Sequence, residues 1–233
     1  MQHLCLLERF SGEKVMKIFG SFLLLLALAF APAAASANDN GAELWFNPSV
    51  SFDLDNDTGI EIETAQRFRN AGDGRPDTYF ARLWMNQKVA KNATLSGAIE
   101  RRINDGASNE TRLIQQLSTS HGVMRTRLRI EQRFVDNADR AGLRVRPRIG
   151  VSLPMDADKK WKFKTDAEFF LTLRSTSFGG DDGLTGLRTQ TGVSFEISDN
   201  LALSAAYLRQ QDFNAGGSDR VGHAPIIGIE FSF

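Results

Sequence analysis

From residue 43 to the C-terminus, apolar and polar residues alternate almost one for one, and no stretch sustains a helical period. In an extended chain successive side chains point to opposite faces, so this period of two predicts strands. Turn residues divide the pattern into segments near 43–53, 59–69, 77–90, 93–103, 109–119, 123–135, 142–153, 161–173, 185–197, 201–211 and 223–233. Each has about the length of a tilted strand that crosses a bilayer.

Three segments show the separation of faces best. In 123–135, Thr126, Leu128, Ile130, Gln132 and Phe134 lie opposite Arg125, Arg127, Arg129, Glu131 and Arg133. In 142–153, Leu143, Val145, Pro147, Ile149, Val151 and Leu153 lie opposite Arg144, Arg146 and Arg148. In 161–173, Trp161, Phe163, Ala167, Phe169 and Leu171 lie opposite Lys162, Lys164, Asp166 and Glu168.

Alternation does not say which face is inside. A soluble barrel buries the apolar face, whereas a membrane barrel turns it toward lipid and encloses the polar one. Three features favour the second. An export-type leader precedes the strands. The chain ends on an alternating apolar face, with Phe231 and Phe233 placed as in the C-terminal recognition signal of bacterial outer-membrane proteins. Short turns such as 198–200 alternate with longer loops such as 174–184 and 212–222, as periplasmic turns alternate with extracellular loops. The expected fold is therefore all-β, an antiparallel transmembrane β-barrel of about 10–12 strands after a cleaved signal peptide. Outer-membrane lipid and lipopolysaccharide are its expected surroundings, and the barrel-assembly machinery is the expected partner of the last strand. Arg101 and Arg209 fall on the lipid face near the extracellular ends of their strands, where a charge is tolerated.

Eleven segments are an odd number, and bacterial single-chain barrels are even. Counting back from Phe233 makes 43–53 run the wrong way for a simple closure, and Pro48 weakens it as a central strand. That segment plugs the lumen, closes in parallel, or masks a strand missed elsewhere.

The leader is Ile18–Ala37, an apolar run after Met16-Lys17 that ends in Ala35-Ser36-Ala37, the small-x-small pattern of signal-peptide cleavage. The expected organisation is a start-site extension over 1–15, a signal peptide over 16–37 cut between Ala37 and Asn38, and a barrel over 38–233.

Charge and chemistry narrow the function without naming it. Lys+Arg and Asp+Glu are both 28, so formal net charge is zero, which argues against a nucleic-acid binder working by phosphate neutralisation. The single cysteine, Cys5, excludes a disulfide framework and a cysteine-based zinc site. Asp53-x-Asp55-x-Asp57 resembles a calcium loop, but its sixth and twelfth positions hold Thr58 and Thr64, not Gly and Glu. His121 and His223 stand without the spaced nucleophile and orienting group of a catalytic triad. No catalytic residue, metal site or cofactor is expected, and the chain reads as a non-enzyme.

The face opposite the apolar one is dense in charge. Glu110, Arg112, Arg125, Arg127, Arg129, Glu131, Arg133, Arg144, Arg146, Arg148, Asp166 and Glu168 are the expected lumen-lining set. Such a density requires water or pairing. Arg127 and Arg129 are expected beside Arg112 and Glu110, and Arg144 to Arg148 beside Glu131 and Glu168. The segments ETRLIQQL (110–117), RTRLRIEQRF (125–134), LRVRPRIGVSLP (143–154) and DAEFFL (166–171), with an early Trp45, resemble the domain of unknown function 2490 family. The resemblance covers essentially the whole expected barrel and implies an outer-membrane barrel; it implies no reaction. Three functions remain open: a narrow, ion-paired barrel with a structural or surface-interaction role, a small anion-favouring channel, and an outer-leaflet lipid hydrolase.

Overall fold

The computed structural model describes residues 40–69 and 77–233. The expected extension 1–15, the signal peptide 16–37 and the cleavage site at Ala37 and Asn38 lie outside the described residues. Within them the chain is eleven strands: β1 (Asn40–Asp53), β2 (Thr58–Arg69), β3 (Thr78–Ala90), β4 (Ala93–Asn104), β5 (Glu110–His121), β6 (Met124–Val135), β7 (Gly142–Pro154), β8 (Trp161–Arg174), β9 (Gly183–Ser198), β10 (Leu201–Asp212) and β11 (Arg220–Ser232).

Each strand pairs antiparallel with its sequence neighbours, and β1 closes the barrel by pairing in parallel with β11. The odd count and the parallel seam are one fact. In an up-and-down meander the first and last of an odd number of strands point the same way, so they can close only in parallel. Of the three roles open to segment 43–53, it takes the parallel closure. The seam runs from Asn40↔Val221 to Ser51↔Ser232, and Phe233 extends it by donating its N–H to the Ser51 carbonyl at 3.0 Å.

Closure leaves no strand at an edge, so every proline within the barrel wall lies between two neighbours. Proline has no N–H to donate, and each interior proline coincides with a one-sided break in pairing. The β1–β2 register skips Asn47 and Pro48; β7–β8 jumps from Val145↔Leu171 to Arg148↔Glu168 across Pro147; β1–β11 jumps from Ala42↔His223 to Trp45↔Ile226 across Pro225. The weakening expected at Pro48 is confined to one side: the ladder to β2 opens locally, while the pair with β11, Pro48↔Ile229, holds.

Strand ends run a little beyond the expected ones. β5 continues to His121, and the turn to β6 is Gly122-Val123, with Gly122 at φ 59°, a left-handed geometry that suits glycine. β9 begins at Gly183 and β11 at Arg220. A backbone ladder needs only N–H and C=O groups, so pairing continues where the apolar alternation has faded. The two ends of the barrel differ in connection length. At one end lie 54–57, 91–92, 122–123, 155–160 and 199–200; at the other lie 105–109, 136–141, 175–182 and 213–219.

The faces are inverted relative to a soluble barrel. Leu83, Ile99, Leu128, Ile130, Phe134, Ile149, Leu203 and Ile227 point outward and are exposed. Buried inside are Arg82, Glu100, Arg102, Glu110, Arg112, Arg129, Glu131, Arg146 and Glu168. Glu100 and Glu131 have no exposed surface at all.

Candidate functional site

The lumen is the candidate site, and alternation builds it. Strands β2 to β9 turn every second residue inward, and at mid-barrel those positions carry Arg or Glu (Asp166 on β8) with aromatic rings between them. A carboxylate that no water reaches must be offset by cations and hydrogen bonds. Three carboxylates meet this need by each collecting several arginines.

Glu100 accepts from Arg82 Nε at 2.9 Å and from Arg102 Nε and Nη2 at 3.1 and 2.9 Å, with Arg112 at 3.6 Å. Glu131 accepts from Arg144 Nε and Nη2 at 3.0 and 2.6 Å and from Arg146, with Arg112 at 3.8 Å and Arg129 at 3.9 Å. Glu168 accepts from Arg127 and from Arg146 Nη2, the latter at 2.6 Å, with Arg188 at 3.6 Å. Arg112 and Arg146 each bridge two hubs, so the network is continuous from β3 to β9. Forked guanidinium geometry suits this sharing; a lysine could not bridge two carboxylates in the same way. At the margins Glu110 holds Arg112 and Arg133, and Asp166 holds Arg148.

Aromatic shelves carry the arginines. Arg67 lies 3.8 Å above the Trp45 ring centre, with Arg188 5.1 Å from the same ring. Arg82 and Arg102 flank Phe80; Arg82 and Arg129 flank Trp84; Arg144, Arg146 and Arg188 surround Phe170. Desolvated cation–π contacts of this kind contribute up to about 2 kcal/mol each. Trp45 donates its indole N–H to Glu43 at 2.6 Å and Trp84 donates to Glu63 at 3.0 Å, so both polar edges are satisfied.

Nine of the twelve expected lumen residues join this network, and Arg148 and Asp166 pair with each other beside it. Arg125 does neither: it sits at the short-turn end and donates to the carbonyls of Gly122 and Met124 at 2.6 and 2.8 Å. One pairing is also corrected. Arg127 and Arg129 stand opposite Ser118 and Gln116, and Arg129 donates to Gln116 at 2.9 and 2.7 Å; Arg112 stands opposite Arg133. The two-residue turn at 122–123 sets His121 against Met124, and every later pair of the hairpin follows from that register. The expected neighbourhood of Arg144 to Arg148 with Glu131 and Glu168 is found. Phe80, Trp84 and Phe170 are absent from the expected set. Their signal was present in the sequence: each sits at an inward position beside Arg82 or Glu168 on its own strand.

Elsewhere the inner wall is apolar and close-set. Trp45, Leu208, Ala224 and Ile226 form the buried cluster, with Ala206 against it. A Cβ at Gly192 would lie 2.3 Å from the Ala205 carbonyl oxygen, so the wall closes only with glycine there. Three cavities follow one another along the axis, of about 210, 320 and 560 Å³. The first two share Trp45, Arg69 and Leu208; the last two share Asn47, Arg127 and Arg148.

Outside the strands the electrostatics are simpler. Asp136 holds the outward Arg101 in a two-pronged pair at 3.2 and 2.8 Å, and this hydrogen bonding lowers the Asp136 pKa below its usual 3.8. In the turn after β1, Asp55 accepts from the N–H groups of Asp57 and Thr58, a closed Asx turn. His223 is hydrogen-bonded to Tyr207 at 2.5 Å on the outer face, and His121 lies against Asn92. Among the described residues no group of three or more His, Cys, Asp or Glu side chains is placed to hold a metal ion. Phe231 points outward on β11, and Phe233 stacks on Phe52 with ring centres 5.7 Å apart.

A family model described as protein of unknown function (DUF2490) matches residues 42–221, from the third residue of β1 into β11. No curated protein matches the chain.

Proposed function

From the premise that this chain belongs to the DUF2490 family of proteins of unknown function, we propose that it is an integral outer-membrane β-barrel. Its lumen is filled by an ion-paired core, and its role is structural or surface-interacting. The carrying observation is the inversion of faces: an outward belt of Leu, Ile, Val and Phe surrounds buried Glu100, Glu131 and Glu168. In water such a belt would be a very large exposed apolar surface, whereas in lipid it is the favourable side. The unequal connection lengths at the two barrel ends and the export-type leader fit the same reading. On it, the short-turn end faces the periplasm, the outward Phe231 and terminal Phe233 carry the assembly signal, and lipid and lipopolysaccharide surround the barrel.

A second reading, a narrow anion-favouring channel, is favoured by the three serial cavities and their arginine lining. Single-channel recording of the inserted protein in a planar bilayer under a salt gradient separates the two. A silent membrane with protein demonstrably inserted supports the plugged barrel; discrete, anion-selective steps support the channel. The membrane reading has its own test. Leu128→Arg places a charge on the outer belt at a cost of about 2–4 kcal/mol if that residue meets mid-bilayer lipid, and is expected to abolish insertion into vesicles. Arg129→Leu, one residue away and inward, is expected to insert. Equal behaviour of the two would overturn the assignment of faces to lipid and lumen.

A further inference from the structure

The central cavity, about 320 Å³, has a lining of unusual sign. Eleven arginines line it, against Glu63, Glu168 and Asp212. The carboxylates around and behind that layer, Glu43, Glu100, Glu110, Glu131 and Asp166, bring the acids to eight, against twelve arginines once Arg133 is counted. Arginine does not shed its proton in proteins, so the excess positive charge cannot be removed by titration.

The excess has an address. Among the described residues, Arg67 has no carboxylate within 4 Å; its guanidinium rests on Trp45 and near Phe80. Arg129 reaches Glu131 only at 3.9 Å and spends its fork on the neutral Gln116. Arg188 reaches Glu168 only at 3.6 Å and donates to the neutral Gln210. A second observation points the same way. The buried Nε atoms of Arg67, Arg112, Arg127 and Arg146 all belong to lining residues, and none has a hydrogen-bond partner among the described residues. Those Nε atoms have almost no accessible surface, so an anion in the chamber does not bond them; it offsets the surplus charge of the guanidinium groups to which they belong.

We propose that the central chamber is a binding site for a small phosphate-class oxyanion, inorganic phosphate or a compact phosphomonoester, held by Arg67, Arg129 and Arg188 on the Trp45 and Trp84 shelves. Planar guanidinium forks match phosphate oxygens, and the volume lies at the small end of the roughly 300–1,000 Å³ of small-molecule sites. The 560 Å³ cavity toward the short-turn end supplies the approach, since it shares Asn47, Arg127 and Arg148 with the chamber. This inference deepens the reading of the lumen as an ion-paired interior. It is tested independently of membrane location, because binding is measured on purified protein and location by insertion.

The experiment is isothermal titration calorimetry of the full chain in detergent, with inorganic phosphate and with glycerol phosphate, at constant ionic strength set by chloride. Wild type and the outer-face control Arg101→Gln are expected to bind at least one probe with equal affinity. Arg67→Met and Arg188→Gln are each expected to weaken binding about ten- to hundredfold, the loss of one charge-assisted contact. Tighter binding of glycerol phosphate assigns an organic phosphate; tighter binding of inorganic phosphate assigns the free ion. If a variant fails to fold, the wild-type thermal midpoint decides. Phosphate must raise it above the value in chloride of the same ionic strength. Absence of heat and of a midpoint rise in wild type, or unchanged affinity in both arginine variants, overturns the proposal.

Discussion

The inner wall has two halves that solve one packing problem by opposite means. From β3 to β8 the inward positions carry long charged side chains, which fill the barrel and pair across strands around Glu100, Glu131 and Glu168. From β10 through β11 to β1 the inward positions include Ser204, Ala206, Leu208, Ala224, Ile226 and Gly228, which leave room for the arginines reaching across. The charged half depends on partners being complete, while the small-residue half depends on nothing being added. Trp45 joins them, anchored to Glu43 on its own strand and supporting Arg67 and Arg188 on its ring.

This contrast can be broken most strongly at Glu131. Glu131→Ala leaves Arg144 and Arg146 without their shared carboxylate and is expected to lower stability by about 3–5 kcal/mol, read from urea unfolding. Adding Arg144→Met to that variant is expected to recover part of the loss, because an apolar replacement removes one uncompensated charge. A loss below about 1 kcal/mol in the single variant, the scale of an exposed pair, would mean the charged half is hydrated and not a packed core.

The other half is probed by adding atoms. Gly192→Val brings a side chain onto Ala205 and Ala206 and is expected to cost about 1–3 kcal/mol. Gly97→Val on the outer face of β4, where a Cβ meets nothing within 4 Å, is expected to change stability little. Equal effects at the two glycines would deny that the small-residue half is close-packed.

The smallest effect sharpens the comparison from outside. The Arg101–Asp136 pair is about half exposed on both sides, at 48% and 44%, so it contributes far less than any buried hub. Its sign is still defined. Asp136 titrates below 3.8 when folded, so the pair's contribution is complete above pH 3.8 and is lost as the pH falls through the lower folded value. The unfolding midpoint of wild type is expected to exceed that of Asp136→Asn slightly at neutral pH, and the gap is expected to close at strongly acidic pH. A gap independent of pH would remove the pair as its cause.

Much of the fold was legible because strand alternation is a local rule. Leu128 and Arg129 are adjacent in sequence and must face apart, whatever their partners. The near-unbroken run of such pairs located all eleven strands, and Gly and Asp clusters located the connections. The charged lumen set was legible for the same reason, Arg125 included, which lines the cavity nearest the short turns; what alternation does not give is its partners, the carbonyls of Gly122 and Met124. The aromatic shelves were harder to see. Phe80 and Phe170 look, by composition, like members of the outer belt; their spacing of two from Arg82 and Glu168 on their own strands is what identifies their side.

What the sequence determined by itself is therefore the period, the segregation of charge from apolar surface and the approximate strand ends, all properties of a few consecutive residues. The tertiary structure decided three other matters. Parallel closure of β1 on β11 joins residues some 180 positions apart. The register of β5 on β6 turns on whether the chain reverses at 122–123 or a residue earlier. The division of carboxylates among arginines, which leaves Arg67, Arg129 and Arg188 in excess, depends on which side chains reach one another across the lumen. Each is a relation between distant segments, fixed by ring closure and side-chain reach, and no local pattern encodes it.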